Sequence, residues 1–252
     1  SYGNGETNNE TFGYHNFYDT NGIQQTRGYK VLLLAGMGIG GGTSVNWTTS
    51  LRTPNQILNE WDTLTEQDNY FNSHEFKNSM DYVCKELNVD IKNNRIPQKE
   101  EKLAEGLELN NLSYKIIPRN TSNDECTESG FSTFGRYDES INSTNKIWFS
   151  EERFEPNNVF SDTNITSLDL SNGRATHINI KNNGTLHKVS VDKVVLAAGS
   201  LNTPKILLDS GYKNQHLGRN LKLHPVSGVA GKFSEEHKTW AGTMQVINSD
   251  EN

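Results

Sequence analysis

Apolar side chains recur at helical spacing in three segments between residues 53 and 109. The first begins at Thr53-Pro54, and its apolar positions fall on one face of a helix: Ile57, Leu58, Trp61 and Leu64. The second begins at Ser73 and the third at Pro97, and both residue types are common at helix starts. The pattern therefore predicts three amphipathic helices. Residues 1 to about 28 are rich in Gly, Asn and Thr and are predicted to be loop.

From about residue 156 the apolar period changes to two. Strict alternation places Ile165 on one face of a strand and Leu168 and Leu170 on the other. Two Asn-Gly dipeptides, Asn172-Gly173 and Asn183-Gly184, interrupt the alternation. Short alternating segments joined by Asn-Gly are the strongest local signal for hairpins, so a three-stranded β-meander is predicted.

Two continuous apolar segments read as buried strands, Val31–Ala35 and Val194–Gly199. The second has the unbroken apolar character of a parallel strand. A short helix is predicted after it, starting at Thr203-Pro204 and ending at Ser210-Gly211. Helices and strands together predict an α/β protein.

Composition narrows the classes of partner. The chain has 252 residues, 33% of them hydrophobic, with 24 basic and 31 acidic side chains and a net charge of -7. A chain without an excess of basic residues is a poor match for nucleic acid as its main partner. Two cysteines are too few for a disulfide scaffold or a zinc cluster. No apolar run approaches the roughly 20 residues that span a bilayer.

The glycine-rich segment after the first apolar strand satisfies the spacing Gly36-x-Gly38-x-x-Gly41. A dinucleotide-binding fingerprint also needs a following helix and an acidic residue about 20 positions on, at the end of a second strand. Here β-branched residues follow the glycines, and the region around Glu60 reads as helix. A P-loop is excluded because Gly42 stands where its lysine would be. Spacing alone favours a tight glycine turn that serves packing.

Longer strings carry a resemblance to a known family. The string from Leu33 to Trp47 is LLAGMGIGGGTSVNW, and the string from Gly199 to Gly211 is GSLNTPKILLDSG, followed by LGRNLKLHP from Leu217. These resemble the two signatures of the glucose–methanol–choline (GMC) oxidoreductases, above all the long-chain fatty alcohol oxidase branch. The two signatures stand in the right order about 160 residues apart, which makes the match specific. The resemblance extends over roughly residues 17 to 245.

The resemblance implies an FAD-binding domain of the Rossmann-like, glutathione-reductase type with an inserted β-meander. Residues 31–53 and 156–220 would be portions of that domain, after a loop-rich lead-in at 1–30. Residues 54–155 would be a mainly helical excursion on the substrate side, and 221–252 the start of a substrate-domain sheet. The family's strand–GxGxxG–helix unit has no counterpart before Val31, so the chain is expected to be a central fragment. Alone, it is expected to bind FAD weakly or not at all.

The resemblance also implies which residues contact FAD. The glycines would let the backbone approach the cofactor and would expose N–H donors towards it. Ile165 would offer backbone groups to the adenine, although an ordinary core position in the meander is an equal alternative. The implied cofactor-binding residues are Gly40, Gly41, Gly42 and Thr43 along the FAD, Asn46 beside the flavin ring, Ile165 at the adenine, and Ala198 and Gly199 near the ADP half.

The activity implied by the family is oxidation of a primary, long-chain alcohol to an aldehyde, with hydride transfer to flavin and reoxidation by O2 to give H2O2. Whether the enzyme is an oxidase or a dehydrogenase is left open, as is its cellular location, and the family allows membrane association. The alternative is a truncated relative without flavin, acting as a binding or structural module. The partners implied are a small alcohol and O2.

No catalytic residue is assigned in this chain. The family's catalytic His pair is expected beyond Asn252, and His224 lies in a string that joins the cofactor and substrate domains. No metal site is predicted either. The alcohol-oxidase branch has a cysteine-rich run where this chain reads CTESGFSTFGR from Cys126, with Ser132 and Arg136 in place of cysteines. A metal or redox role for Cys126 is therefore not supported.

Overall fold

The computed structural model describes residues 10–92, 96–121, 141–149, 158–224, 226–237, 242 and 245–250. The chain divides into two compact units: Ser1–Phe154 with Phe233–Asn252, and Glu155–Lys232. In chain order, the helices and strands are α1 (Glu10–Phe17), β1 (Gln24–Gln25), β2 (Leu32–Leu33), α2 (Asn55–Leu64), α3 (His74–Glu86), β3 (Val89–Asp90), α4 (Gln98–Leu109), β4 (Lys115–Ile116), β5 (Arg119–Asn120), α5 (Thr144–Trp148), β6 (Thr163–Ser171), β7 (Arg174–Asn182), β8 (Thr185–Ser190), α6 (Gly199–Asp209) and β9 (Ile247–Asn248). The protein is therefore mixed α/β.

The three predicted amphipathic helices are confirmed as α2, α3 and α4. Ser73 caps α3, because its side chain accepts a hydrogen bond from Phe76 N at 3.2 Å. The predicted apolar face of α2 is buried only in part: Leu58 is 1% exposed, whereas Leu64 is 79% exposed. Helical periodicity thus identified the helices, and tertiary contacts decide how much of each face is covered.

Residues 10–17 form helix α1, so the prediction of loop is wrong for this segment. The segment lacks helical periodicity but is rich in aromatic residues. Phe17 and Tyr18 are buried in a cluster with Val45, and Phe12 and Tyr14 pack against it. Aromatic burial therefore orders a segment whose Gly and Asn content reads as loop.

In the first unit the described strands pair in short antiparallel ladders: β1 with β2, β3 with β5, and β4 with β9. Of the predicted strand Val31–Ala35, only Leu32 and Leu33 belong to β2. Four helices, α2 to α5, lie in the described part of residues 54–155, together with β3, β4 and β5. The altered cysteine run, including Cys126, Ser132 and Arg136, lies outside the described residues.

In the second unit, β6, β7 and β8 form the predicted antiparallel meander. Both predicted turns are confirmed. Asn172 and Asn183 have φ of 50° and 47°, and the glycines that follow them also have positive φ. This is the left-handed backbone that Asn-Gly favours in two-residue hairpin turns.

Two β-bulges, at Thr166 on β6 and at Thr176 on β7, interrupt the pairing of these strands. The Thr166 hydroxyl donates to Asn179 O on the opposite strand at 2.9 Å. The Thr176 hydroxyl likewise donates across the ladder, to Asp169 O at 3.2 Å. Because each strand carries one extra residue, the pairing returns to its initial register before the turn.

The bulge at Thr166 shows that the predicted face of Ile165 is wrong. Ile165 pairs with Ile180, and Leu168 pairs with Ile178. Residues two apart on β7 share a face, so Ile165 and Leu168 also lie on the same face. Strict alternation fails here because Thr166 is an extra residue in the strand, and counting through it assigns Ile165 to the wrong face of the sheet.

Helix α6 packs against β6. Ile206 of α6 and Leu168 of β6 are both buried. Ser210, just after the helix, links the two elements: its hydroxyl donates to Ile206 O at 2.5 Å and accepts from Leu168 N at 2.7 Å. The helix begins four residues before the predicted start, and Pro204 lies inside it.

The predicted strand at 194–199 is not formed. Residues 194–198 are neither helix nor strand, and Val195 is 90% exposed. Every strand pairing among the described residues is antiparallel, so this segment has no parallel neighbour to complete a ladder. The strand expected from residue 221 is not formed either at 221–224. The assignment of these segments to cofactor and substrate domains stays a prediction.

Candidate functional site

The glycine loop, residues 36–44, is closed by hydrogen bonds between its own backbone groups. Its last four residues, Gly41–Ser44, form one turn of 3₁₀ helix. Gly41 N donates to Gly38 O at 3.0 Å, and Thr43 N donates to Gly40 O at 3.1 Å. These two N–H groups, which were expected to face a cofactor, are therefore engaged within the loop itself.

Two glycines of the loop are required by the local geometry. A Cβ on Gly36 would lie 2.7 Å from the carbonyl carbon and oxygen of Gly41, and real Cβ atoms do not approach backbone so closely. Gly40 has a φ of 92°, a left-handed backbone that strains any residue with a side chain, and a Cβ there would also displace Ser44 Oγ, which would lie 2.5 Å away.

Two other glycines of the loop face open space. A Cβ on Gly41 or Gly42 would meet no atom within 4 Å. Gly41 has a φ of 50°, whereas Gly42 has no left-handed backbone to explain its identity. Packing within the described residues therefore gives no reason for glycine at position 42. An open stretch of bare backbone fits the close approach of a flat cofactor such as a flavin.

Thr43 fastens the loop to helix α5. Its hydroxyl donates to Gly40 O at 2.6 Å and accepts from Thr144 N at 3.1 Å. The hydroxyls of Thr43 and Thr144 also lie 2.9 Å apart. Ser143 caps α5 by accepting from Lys146 N at 3.3 Å. The predicted cofactor residue Thr43 is thus an anchor of the loop in this structure.

Asn46 begins a tight turn, residues 46–48, called here the Asn46 turn. Thr48 N donates to Asn46 Oδ1 at 3.0 Å, which closes the turn through the side chain. Thr48 itself is buried and has a φ of 65°. Asn46 remains exposed, so its amide nitrogen is presented at the surface next to the glycine loop.

An aromatic layer supports the loop. Met37 N donates to Phe17 O at 2.8 Å, and Asp19 N donates to Ala35 O at 2.8 Å, so the segment after α1 runs beside the start of the loop. Burial raises the pKa of Tyr18 to about 12, and the nearby Tyr14 contributes in the same direction. The Tyr18 hydroxyl therefore stays protonated and neutral at physiological pH.

The remaining predicted cofactor residues belong to the second unit. Ile165 is half-buried on β6, opposite Ile180. Ala198 N donates to Thr203 Oγ1 at 3.1 Å, and Gly199 opens α6 with a φ of 82°. Both Ala198 and Gly199 are exposed. The structure therefore brings Gly40 to Thr43 and Asn46 together, and the FAD contacts of all eight residues stay predictions.

Sequence reasoning did not identify Arg119 and Asn120, which form hydrogen bonds to the backbone of the Asn46 turn. The buried guanidinium of Arg119 donates to Trp47 O and, at 2.7 Å, to Gln245 O. Asn120 N donates to Thr48 O at 3.2 Å. No local motif marks Arg119, because its partners lie 72 and 126 residues away in sequence. The cap at Ser143 could have been found, since Ser-Thr before an apolar stretch is a helix-start signal.

The described part of the chain offers few other candidate functional groups. Within it, no three His, Cys, Asp or Glu side chains are grouped so that they could hold a metal ion. His224 is exposed in a segment without helix or strand. No helix among the described residues is both long and apolar enough to cross a bilayer.

Comparison with known proteins assigns the chain to a family. The family model described as GMC oxidoreductase matches residues 14–226, which is more than half of the chain. Two long-chain-alcohol oxidases of Arabidopsis thaliana are 32% identical over 241 residues and 31% identical over 227 residues, covering 90% and 88% of this chain. An oxygen-dependent choline dehydrogenase of Staphylococcus aureus is 27% identical over 113 residues, 41% of this chain and 20% of its own length. The chain spans about a third of the length of the plant relatives, 32% and 31%. With its glycine loop inside the matched segment, the chain belongs to the GMC oxidoreductase family.

Proposed function

We propose that this chain forms part of the flavin site of an FAD-dependent oxidase of primary, long-chain alcohols. The observation that carries the proposal is the open backbone at Gly41 and Gly42, in a chain of the GMC oxidoreductase family. Enzymes of this family are generally FAD-dependent. The substrate class follows from the names of the plant relatives, which are long-chain-alcohol oxidases.

The residues of this chain would bind and orient the cofactor. Gly40 to Thr43 would lie along the FAD, and Asn46 would lie beside the flavin ring, where its exposed amide can donate a hydrogen bond. Ile165, Ala198 and Gly199 would contact the ADP half in a Rossmann-like domain of the glutathione-reductase type. When bound, FAD supplies the capacity to accept hydride from an alcohol carbon and to be reoxidised by O2, giving an aldehyde and H2O2.

A test uses the full-length gene product that contains residues 1–252. We expect it to purify with the visible absorption of oxidised flavin, to lose that absorption with a long-chain primary alcohol under anaerobic conditions, and to release H2O2 when O2 is admitted. A product without flavin, even after incubation with FAD, would support the alternative of a binding or structural module.

Paired glycine variants separate binding from packing. Gly42→Ala adds a methyl group in open space at a backbone angle that any residue adopts, so we expect an unchanged melting temperature and a lower flavin-to-protein ratio. Gly106→Ala in α4 makes the same change in open space and should leave flavin unaffected. Gly36→Ala should instead lower stability by about 1–3 kcal/mol through overpacking. If Gly42→Ala keeps its flavin like Gly106→Ala, the loop does not contact the cofactor.

A further inference from the structure

Arg119 lies at the meeting point of three segments that are far apart in sequence. It belongs to β5, which pairs with β3, and it forms an isolated bridge with Thr49. The residue is 1% exposed, although an arginine is charged at any pH that proteins tolerate. A buried charge of this kind is retained only where polar groups surround it.

The guanidinium holds two backbone carbonyls. One is Trp47 O, in the middle of the Asn46 turn, and the other is Gln245 O at 2.7 Å. The planar fork of arginine can hold two acceptors in a fixed relation, which the single ammonium group of lysine cannot. Arg119 therefore fixes the carbonyl of Trp47 relative to the segment around Gln245.

That segment is itself held firmly. Glu100 of α4 is buried, and its Oε2 accepts from Val246 N at 2.6 Å and from Ile247 N at 2.7 Å. Ile247 also pairs with Ile116 in the ladder of β9 with β4. Gln245 O, the second acceptor of Arg119, therefore lies next to a firmly bonded segment. Because the same guanidinium also binds Trp47 O, it holds the Asn46 turn at a set distance from that segment.

Two backbone hydrogen bonds tie the Asn46 turn and the segment just after it to residues 118–120. Asn120 N donates to Thr48 O at 3.2 Å, and Ser50 N donates to Pro118 O at 2.9 Å. Thr48 N closes the turn on Asn46 Oδ1. The orientation of the Asn46 side chain therefore depends on where Arg119 holds the carbonyl of the adjacent residue.

We propose that Arg119 is a positioning residue for Asn46: by clamping Trp47 O to Gln245 O, it aims the Asn46 amide at the ligand of the glycine loop. The proposal rests on the proposed function for the nature of that ligand, a flavin. Arg119 would act through the turn, because its guanidinium is bonded to the backbone at Trp47 and Gln245.

The first measurement needs no flavin. Hydrogen exchange at single-amide resolution on the full-length gene product should show the Thr48 amide exchanging about tenfold faster in Arg119→Ala than in the wild type, because the turn loses a hydrogen bond to a charged group. Millimolar guanidinium should restore slow exchange, and Arg119→Lys should give an intermediate rate. Arg52→Ala, which removes an exposed arginine bonded to Asp81 at 2.6 Å, is the matched control and should leave Thr48 unchanged.

The second measurement uses the full-length gene product with bound flavin. Arg119→Ala should shift the visible spectrum and the reduction potential of the flavin, and guanidinium should return both to wild-type values. A role limited to stability would lower the melting temperature without either reversible change. Unchanged Thr48 exchange in folded Arg119→Ala, or a flavin that ignores guanidinium, would overturn the proposal. A wild-type protein without flavin would refute the proposed function, while the exchange measurement still decides whether Arg119 positions the turn.

Discussion

At the scale of single residues, buried charged groups hold backbone where regular secondary structure is short. Glu100 binds two N–H groups and Arg119 binds two carbonyls, and both act on residues 245–247. The ladders in this unit are only two residues long, so they leave most backbone groups to other partners. Charge-assisted hydrogen bonds are about twice as strong as neutral ones, which makes them effective substitutes.

We expect Glu100→Ala to destabilise the protein by roughly 2–6 kcal/mol. The change leaves the amides of Val246 and Ile247 buried without an acceptor, and each such group costs about 1–3 kcal/mol. Glu100→Gln should lose less, because its amide oxygen can still accept. Urea unfolding of both variants measures the losses, with the exposed neighbour changed in Glu101→Ala as the control. Equal stability of Glu100→Ala and Glu101→Ala would contradict this account.

At the scale of elements, the meander has one apolar and one polar face. Asp169, on the polar face, bonds to Lys188 Nζ at 2.5 Å and to Asn179 Nδ2 at 2.7 Å. The same Asn179 amide also donates to Ser167 Oγ at 3.1 Å. These polar contacts cross all three strands, since the residues lie on β6, β7 and β8. The polar face thus has side-chain contacts that form only in this strand register, and such cross-strand pairs stabilise a sheet.

Asp169 should make the stability of the second unit depend on pH in the acid range. The hydrogen bond from Lys188, then that from Asn179, lowers the pKa of Asp169 below its ordinary value of 3.8. A lowered folded-state pKa stabilises the protein above the unfolded-state pKa, and this stabilisation is lost as pH falls through the folded-state pKa. Melting temperature measured from neutral pH to about pH 2 should fall less steeply for Asp169→Asn than for the wild type.

The control for this experiment is Asp192→Asn, which removes an exposed carboxylate just after β8. Its acid profile should follow that of the wild type. Because the Asp169 side chain is partly exposed to solvent, the difference between the profiles should also shrink when salt is added. Superimposable curves for Asp169→Asn and the wild type at low salt would refute the assignment.

Elements were predictable from sequence where local chemistry decides them. The Asn-Gly turns and the starts of α2, α3 and α4 follow from backbone preference and capping, which act within a few residues. Helix α1 was missed because its order comes from aromatic contacts with Val45, almost thirty residues away. The bulge at Thr166 was missed because one extra residue leaves no mark in an alternating pattern.

At the scale of the whole molecule, two compact units each contain part of the predicted cofactor set. The motif strings single out the glycine loop and the segment before α6, and the FAD contacts of both stay predictions. They could not show that Thr43 is tied to Thr144, or that Arg119 reaches Trp47, because such contacts arise only when distant segments meet. Recognition of a family thus indicates where to expect the site, whereas long-range packing determines how the loop is held.

Limited proteolysis should report the uneven protection of the second unit. Lys193 and Lys222 lie in exposed segments without helix or strand, whereas Lys181 and Lys188 lie within β7 and β8. Proteases cleave backbone that is not held in regular hydrogen-bonded structure. Trypsin should therefore cleave after Lys193 or Lys222 earlier in the digestion than after Lys181 or Lys188. Mass spectrometry of early fragments identifies the sites. Initial cleavage after Lys181 or Lys188 would show that the meander opens more readily than the segments around it.

The two bulges also govern how this hairpin can change in length. Deleting Thr166 alone would leave only the bulge at Thr176, so every pair from Asp169 outward would be one residue out of step with the pairs next to the turn. Deleting Thr176 alone would leave only the bulge at Thr166, so the three outermost pairs would be one residue out of step with the others. Deleting both would give a shorter hairpin of regular alternation, with the same apolar residues inside and the same Asn172-Gly173 turn. The two threonines therefore form a single evolutionary unit: insertions and deletions in this hairpin should occur in pairs, one on each strand, rather than singly.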